Sequence, residues 1–157
     1  VNSILIVEKC DHSLRFCLDP RDLNKAIKRE HHPIKTVDDI AAKLHGKQIF
    51  SVVDRSNALY SVQLDESSSK LCTFNCMYGR YSLRLPFGLS SSPEVFSKRM
   101  EQLFGDIEGV HIVFDDLTIA ATDIAEHDTI VRKLLTSVSI EANCNGGLIE
   151  FNTLDIG

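Results

Sequence analysis

HIVFDDLTIA, residues 111–120, sets Asp115 and Asp116 side by side inside an otherwise apolar run. Successive side chains on a strand point to opposite faces, so a strand buried throughout its length should not carry adjacent carboxylates. Residues 109–122, GVHIVFDDLTIAAT, are two short apolar runs around the acids and read as a hairpin with both at its tip, near solvent. Unpaired, the two carboxylates repel and raise each other's pKa; a divalent cation, which favours hard oxygen ligands, removes the conflict. Asp54 is the candidate third carboxylate, because it ends a second apolar β run, FSVVD. Three carboxylates on two adjacent strand ends are the kind of site that holds two metals for phosphoryl or nucleotidyl transfer. An Asp-Asp pair at a hairpin turn is also ordinary turn chemistry, so the acids alone leave both readings open.

The chain has 157 residues, 43% hydrophobic and 25% charged, enough for one domain with a core or one piece of a larger assembly. No apolar run approaches the roughly 18–20 residues that span a bilayer, so no membrane partner is expected. The opening VNSILIVEKC has neither a basic leader nor a small-residue cleavage site, and it begins at Val1, as expected of a piece cut from something longer. The five cysteines (Cys10, Cys17, Cys72, Cys76 and Cys144) form no CxxC pair and no finger-like cluster with histidine. They are expected to be reduced, buried thiols of an intracellular protein. His31 and His32, followed by Pro33, read as a loop rather than a metal site. Net charge is −5, which argues weakly against nucleic acid, but its distribution says more. Residues 1–49 carry nine Lys/Arg against seven Asp/Glu, residues 50–100 six against four, and residues 101–157 two against eleven. That asymmetry suits a basic channel leading to an acidic, cation-binding centre, and equally a solvated acidic surface.

Strand-like runs at 3–7 and 14–18 flank a turn at 9–13 and predict a hairpin. TVDDIAAKLHG, 36–46, predicts a helix capped by Thr36, with Asp38 and Asp39 at its N-terminal end and Gly46 closing it. QIFSVVD, 48–54, is β-rich; LCTFNC and YSLRL read as strands around a turn at Tyr78–Arg80. Pro93 suits the first position of a helix, capped by Ser91 or Ser92, that carries Val95, Phe96, Met100, Leu103 and Phe104 and closes at Gly105. A second amphipathic helix follows a capping Thr122 or Asp123, with Ile124, His127, Val131, Leu134, Leu135 and Val138 on one face. The last stretch, about 137–157, has no clear reading beyond the end of that helix. The whole is a mixed α+β pattern.

Four stretches, in order, carry a resemblance: LRFCLDPRDLNKAIKREHHPIKTVDDIAAKL, FSVVDRSNALYSVQLDESSSKLCTFN, YGRYSLRLPFGLSSSPEVFSKRM and VFDDLTIAATDIAEHD. From residue 3 to about 136 the chain resembles the fingers and palm of reverse transcriptases, most closely those of gypsy-like LTR retrotransposons. The resemblance implies an α+β fold with fingers and palm interleaved, an antiparallel palm sheet packed on helices, and truncation before the thumb. Residues 1–157 would be a partial reverse transcriptase domain. It implies RNA-directed DNA polymerase activity by two-metal catalysis, as part of a Pol polyprotein. It places the catalytic carboxylates at Asp54, Asp115 and Asp116, holding Mg²⁺ (Mn²⁺ as an alternative) with the backbone carbonyl of Arg55.

By the same resemblance, the backbone of Asn57 and Ala58 would meet phosphate oxygens. Arg15 would lie over the base and reach the triphosphate, Lys9 would be the fingers lysine, and Phe87 and Gly88 would line the pocket near base and template. On residue pattern alone, Arg15 reads as an outward strand residue and Phe87 as core. The implied partners are an RNA or DNA template with primer, deoxynucleoside triphosphates and the remainder of the polyprotein. The implied location is the cytoplasm or a virus-like particle. The chain departs from the family in having Arg55 for a small residue, Ala58 for Gly, and Leu59 for the aromatic residue that excludes a ribose 2′-hydroxyl. Sugar discrimination is therefore expected to be weak, unless Tyr60 substitutes. A chain without a thumb is expected to polymerise poorly, and a catalytically inactive nucleic-acid-binding remnant is the competing reading. An unrelated metal-dependent phosphotransferase is a third.

Overall fold

The computed structural model describes residues 1–10, 12–28, 32–33, 35–55, 58–113, 115–145 and 151–156, with the backbone alone at 37, 55, 141–145 and 151–156. The chain forms two units: Val1–His31 with Leu59–Val95, and His32–Ala58 with Phe96–Gly157.

In the first unit, β1 (Ser3–Glu8) and β2 (Leu14–Asp19) form the expected antiparallel hairpin, with Ile6 opposite Phe16 and Val7 opposite Arg15. Its turn is closed by two backbone bonds of 2.9 Å, Lys9 N–H to Ser13 and His12 N–H to Lys9. A short helix, α1 (Arg21–Ala26), follows, for which the sequence pattern gives no reading. A 3₁₀ turn (Ala58–Ser61) leads into α3 (Glu66–Leu71), β4 (Thr73–Cys76) and β5 (Gly79–Ser82). Asp65 caps α3 by accepting the Ser68 N–H at 2.9 Å, a start signal that the sequence does carry. The strands expected over LCTFNC and YSLRL are shorter than predicted, because Leu71 still belongs to α3. The N–H groups of Leu83 and Leu85 bond instead to the Cys72 and Val62 carbonyls. Leu18, Cys72 and Leu89 form the buried centre, with Leu23, Ile27, Leu64 and Leu83 packed around it.

The second unit begins its helical part at α2 (Val37–Leu44), where Thr36 and Asp39 form a reciprocal capping box. Its sheet has strand order β6-β7-β3-β8, every pairing antiparallel, from β3 (Ile49–Arg55), β6 (Val110–Val113), β7 (Asp116–Ala121) and β8 (Phe151–Ile156). β8 emerges from the stretch that had no sequence reading. α4 (Ser92–Phe104) buries Phe96, Met100 and Phe104, one face at four-residue spacing. α5 (Ile124–Asn145) is longer than expected and is rotated from the predicted face. The buried residues are His127, Ile130, Leu134 and Val138, whereas Ile124 and Leu135 are 70% and 48% exposed. In the core, Ser51 Oγ on β3 and His127 Nε2 on this helix lie 2.8 Å apart, both buried. Asp123 caps α5 through the Glu126 N–H at 2.8 Å, and Glu126 pairs with Lys47 at 2.9 Å.

The cysteines correct another expectation. Cys10, Cys17, Cys72 and Cys76 are free, as expected, but only Cys72 is buried, and Cys10 and Cys76 are exposed on short strand–turn segments that have no core to enter. Among the described residues no helix is long and apolar enough to cross a membrane. His31 lies outside the described residues.

The Ser51–His127 contact yields a first expected result. His127→Ala leaves a buried hydroxyl without its partner, so stability should fall by about 1–3 kcal/mol, with cavity formation adding to it. Urea unfolding of residues 1–157 checks this; an unchanged midpoint would show that the pair contributes nothing.

Candidate active site

Burial along the strands alternates, and the alternation assigns the acids to a face. Ser51 and Val53 on β3, Leu117 and Ile119 on β7, and Val110 and Ile112 on β6 are buried. Asp54 and Val52, which is 41% exposed, take the opposite face of β3. The β3/β7 register pairs Val53 with Leu117, so Asp54 and Asp116 are the next opposed positions and share that face. The β6/β7 register pairs Val113 with Asp116, and Asp115 lies in the turn between the two strands, exposed. Pairing of β3 with β8 shifts between Asp54 and Arg55, an irregularity of the sort that re-aims a strand end beside an active site.

The electrostatics follow from this placement. Partial burial raises the Asp116 carboxyl above its ordinary value; the charges of Asp54 and then Asp115 raise it further, as does a hydrogen bond shared with Asp54. Asp116 is therefore the acid that meets Asp54 directly, and Asp115 acts on it as a neighbouring charge. Farther along the same face, opposite Thr118, sits His111, whose imidazole is held below its usual pKa by burial and then by Lys43, Lys35 and Lys47. No group of three or more His, Cys, Asp or Glu side chains in metal-binding geometry occurs among the described residues, so the three acids stand as a pair and an adjacent turn residue.

Arg55 contributes backbone to β3, and Asn57 lies outside the described residues. Ala58 is buried, and so is Leu59, at 7% exposure. The side chain assigned from sequence to the sugar is thus packed away from solvent. Tyr60, its half-buried neighbour, meets the Phe87 ring edge-on, with centroids 5.3 Å apart and an interplanar angle of 86°, and donates its hydroxyl to the Phe16 carbonyl. Burial and then the neighbouring Cys17 raise the Tyr60 phenol, and Arg15 partly offsets them. The Arg15 guanidinium lies 4.7 Å from the Phe87 ring centroid, a cation–π contact. Lys9 sits in the β1–β2 turn, half-buried. Gly88 has φ +107°, and a Cβ there would stand 2.4 Å from the Leu18 carbonyl oxygen.

The structure thus brings Asp54 and Asp116 together in the second unit, with Asp115 in the adjoining turn, and Arg15 and Phe87 together in the first. Sequence reasoning missed Asn24 on α1, whose side-chain amide bonds to both Gly88 and Ser90. Its one signal was position, inside the DPRDLN stretch, which gives no hint of a partner more than sixty residues away.

An overpacking test separates Leu59 from Tyr60. Leu59→Phe should lower stability by about 1–3 kcal/mol, the usual cost of enlarging a side chain at a position already buried. An unchanged urea midpoint would show that the ring finds open space, as a residue beside a substrate pocket would.

A four-stranded antiparallel sheet with carboxylates at neighbouring strand ends defines a palm-type fold. Residues 7–141 match the family described as "Reverse transcriptase (RNA-dependent DNA polymerase)", and the chain belongs to that family. It is 37% identical over 134 residues to an uncharacterized protein of Caenorhabditis elegans, a match covering 83% of this chain and 10% of that protein. It is 29% identical over 128 residues to the retrovirus-related Pol polyprotein from transposon 297 of Drosophila melanogaster, covering 80% of this chain and 12% of the relative. Among solved structures, the foamy viral protease-reverse transcriptase in complex with RNA/DNA hybrid matches with a TM-score of 0.75 and 25% identity, over 90% of this chain and 19% of that one. The chain thus spans about a tenth of the length of these curated relatives.

Proposed function

We propose that residues 1–157 are fingers and palm of an RNA-directed DNA polymerase encoded in the Pol polyprotein of a gypsy-like LTR retrotransposon. The observation that carries this reading is the pairing of Asp54 with Asp116 on one sheet face, beside Asp115 in the turn. The donor set suits a divalent cation: hard oxygens only, with a repulsion that raises Asp116 and that a cation would relieve. Asp54, Asp115, Asp116 and the Arg55 carbonyl would hold Mg²⁺, or Mn²⁺ in its place. Bound there, the metal supplies charge neutralisation and Lewis acidity to phosphoryl transfer.

The remaining roles belong to the chain itself. Arg15 is a guanidinium already fixed over an aromatic ring, so less side-chain freedom is lost when it meets a triphosphate. Lys9 adds a second cation on the same hairpin, and Phe87 and Gly88 form the wall near base and template. The backbone of Asn57 and Ala58 takes phosphate oxygens, and Leu59 and Tyr60 follow at the sugar end. The partners are deoxynucleoside triphosphates, a primer on an RNA or DNA template, and the rest of the polyprotein. The setting is the cytoplasm or a virus-like particle.

The test is primer extension on an RNA template with Mg²⁺, using residues 1–157 and a polypeptide extended to the length of the relatives. Extension by the longer polypeptide, and little by residues 1–157, is expected, since a primer terminus must be held for in-line attack. Template binding without extension by the longer form would support the inactive remnant instead.

A further inference from the structure

The segment Leu85–Ser92 leaves the β4–β5 ladder and makes hardly any regular structure, yet its backbone is pinned at successive residues. Leu85 N–H donates to the Val62 carbonyl at 3.1 Å, and the Pro86 carbonyl accepts the Ser92 hydroxyl at 2.8 Å. The Phe87 carbonyl accepts the Leu18 N–H at 3.0 Å. The last two bonds come from one side chain. Asn24 Nδ2 donates to the Gly88 carbonyl at 3.0 Å, and the Ser90 N–H donates to Asn24 Oδ1 at 3.0 Å. An Asn amide is neutral and offers a donor and an acceptor on two separate atoms, side by side. Here it grips the loop on the residue immediately after Phe87, where positive φ and the 2.4 Å approach of a Cβ to Leu18 already admit only glycine.

We infer that Asn24 is a positioning residue: by bridging Gly88 and Ser90 it sets the backbone conformation of the loop, and through it the place of the Phe87 ring beneath Arg15. α1, which has no fully buried residue and packs Leu23 against the Leu18–Cys72–Leu89 centre, thereby also carries the bridge to the loop. For nucleotide use the consequence rests on the polymerase reading above. With that reading, loss of the bridge raises KM for the deoxynucleoside triphosphate more than it lowers kcat.

The test needs no activity. In NMR of residues 1–157, Asn24→Ala should speed exchange of the Ser90 amide roughly tenfold, the scale of one lost hydrogen bond. The Arg15 δ-methylene protons should lose the upfield shift that the Phe87 ring face imposes on them. Amides of β3 and β7 should keep their protection, which shows that the variant folds. Asn24→Asp retains the acceptor and should keep Ser90 slow. Unchanged Ser90 exchange in Asn24→Ala overturns the bridge. Faster exchange with the Arg15 shift intact overturns the positioning role. If the exchange and shift change as expected but the longer polypeptide shows no polymerase activity, the polymerase reading fails and the positioning role stands.

Discussion

Asp54→Asn in the extended polypeptide should lower primer extension by on the order of 10³-fold or more, while leaving residues 1–157 at least as stable as before. Loss of a single preorganised charge-stabilising group at an active site costs roughly 10²–10³-fold, and Asp54 would serve the cation as well as the geometry. Stability moves the other way because Asp54 and Asp116 oppose each other across β3 and β7, and like charges so placed destabilise a sheet; opposed pairs count for roughly 0.2–1 kcal/mol. The sign with pH follows from the raised Asp116. A carboxyl raised in the folded state costs stability when ionised, so the cost is fully present above its folded pKa and disappears as pH falls below its unfolded value. The gain from Asp54→Asn should therefore be visible in metal-free urea unfolding at pH 7 and absent once the acids are protonated. A variant that is less stable at pH 7, with extension intact, would mean that the three acids are turn chemistry and nothing more.

Gly88→Ala is the second large effect. Its φ of +107° is strained for any residue with a Cβ, at a cost of about 1–3 kcal/mol. The new methyl would also stand 2.4 Å from the Leu18 carbonyl oxygen, backbone that cannot swing aside as a side chain could. The same strand gives the Leu18 N–H to Phe87, so pushing β2 away breaks that bond too. Gly46→Ala is the matching control: φ there is +81°, but a Cβ meets nothing within 4 Å. Gly88→Ala should lose more stability than Gly46→Ala in thermal or urea unfolding, and its Arg15–Phe87 contact should disappear from the NMR spectrum. Equal losses would show that β2 yields to the methyl at no cost, and that the loop is not held as tightly as its hydrogen bonds imply.

Much of the molecule is written locally. The apolar run that ends at Asp54, the hairpin carrying Asp115 and Asp116, the Thr36–Asp39 cap of α2 and the spacing of Phe96, Met100 and Phe104 all depend on residues within one or two turns of each other. Such signals survive in sequence because neighbouring residues settle them. Other features required the chain to come back on itself. The sequence by itself determined that three carboxylates end two apolar strands. Only the β3/β7 register decided that Asp116, not Asp115, meets Asp54, since a slip of one residue would exchange the faces. Likewise only tertiary packing set Ser51 against His127, buried Leu59 while leaving Tyr60 against Phe87, and gave Asn24 its two partners. In each case the deciding partner lies tens of residues away, and a side chain's pattern reports its own periodicity but not the identity of what it will touch.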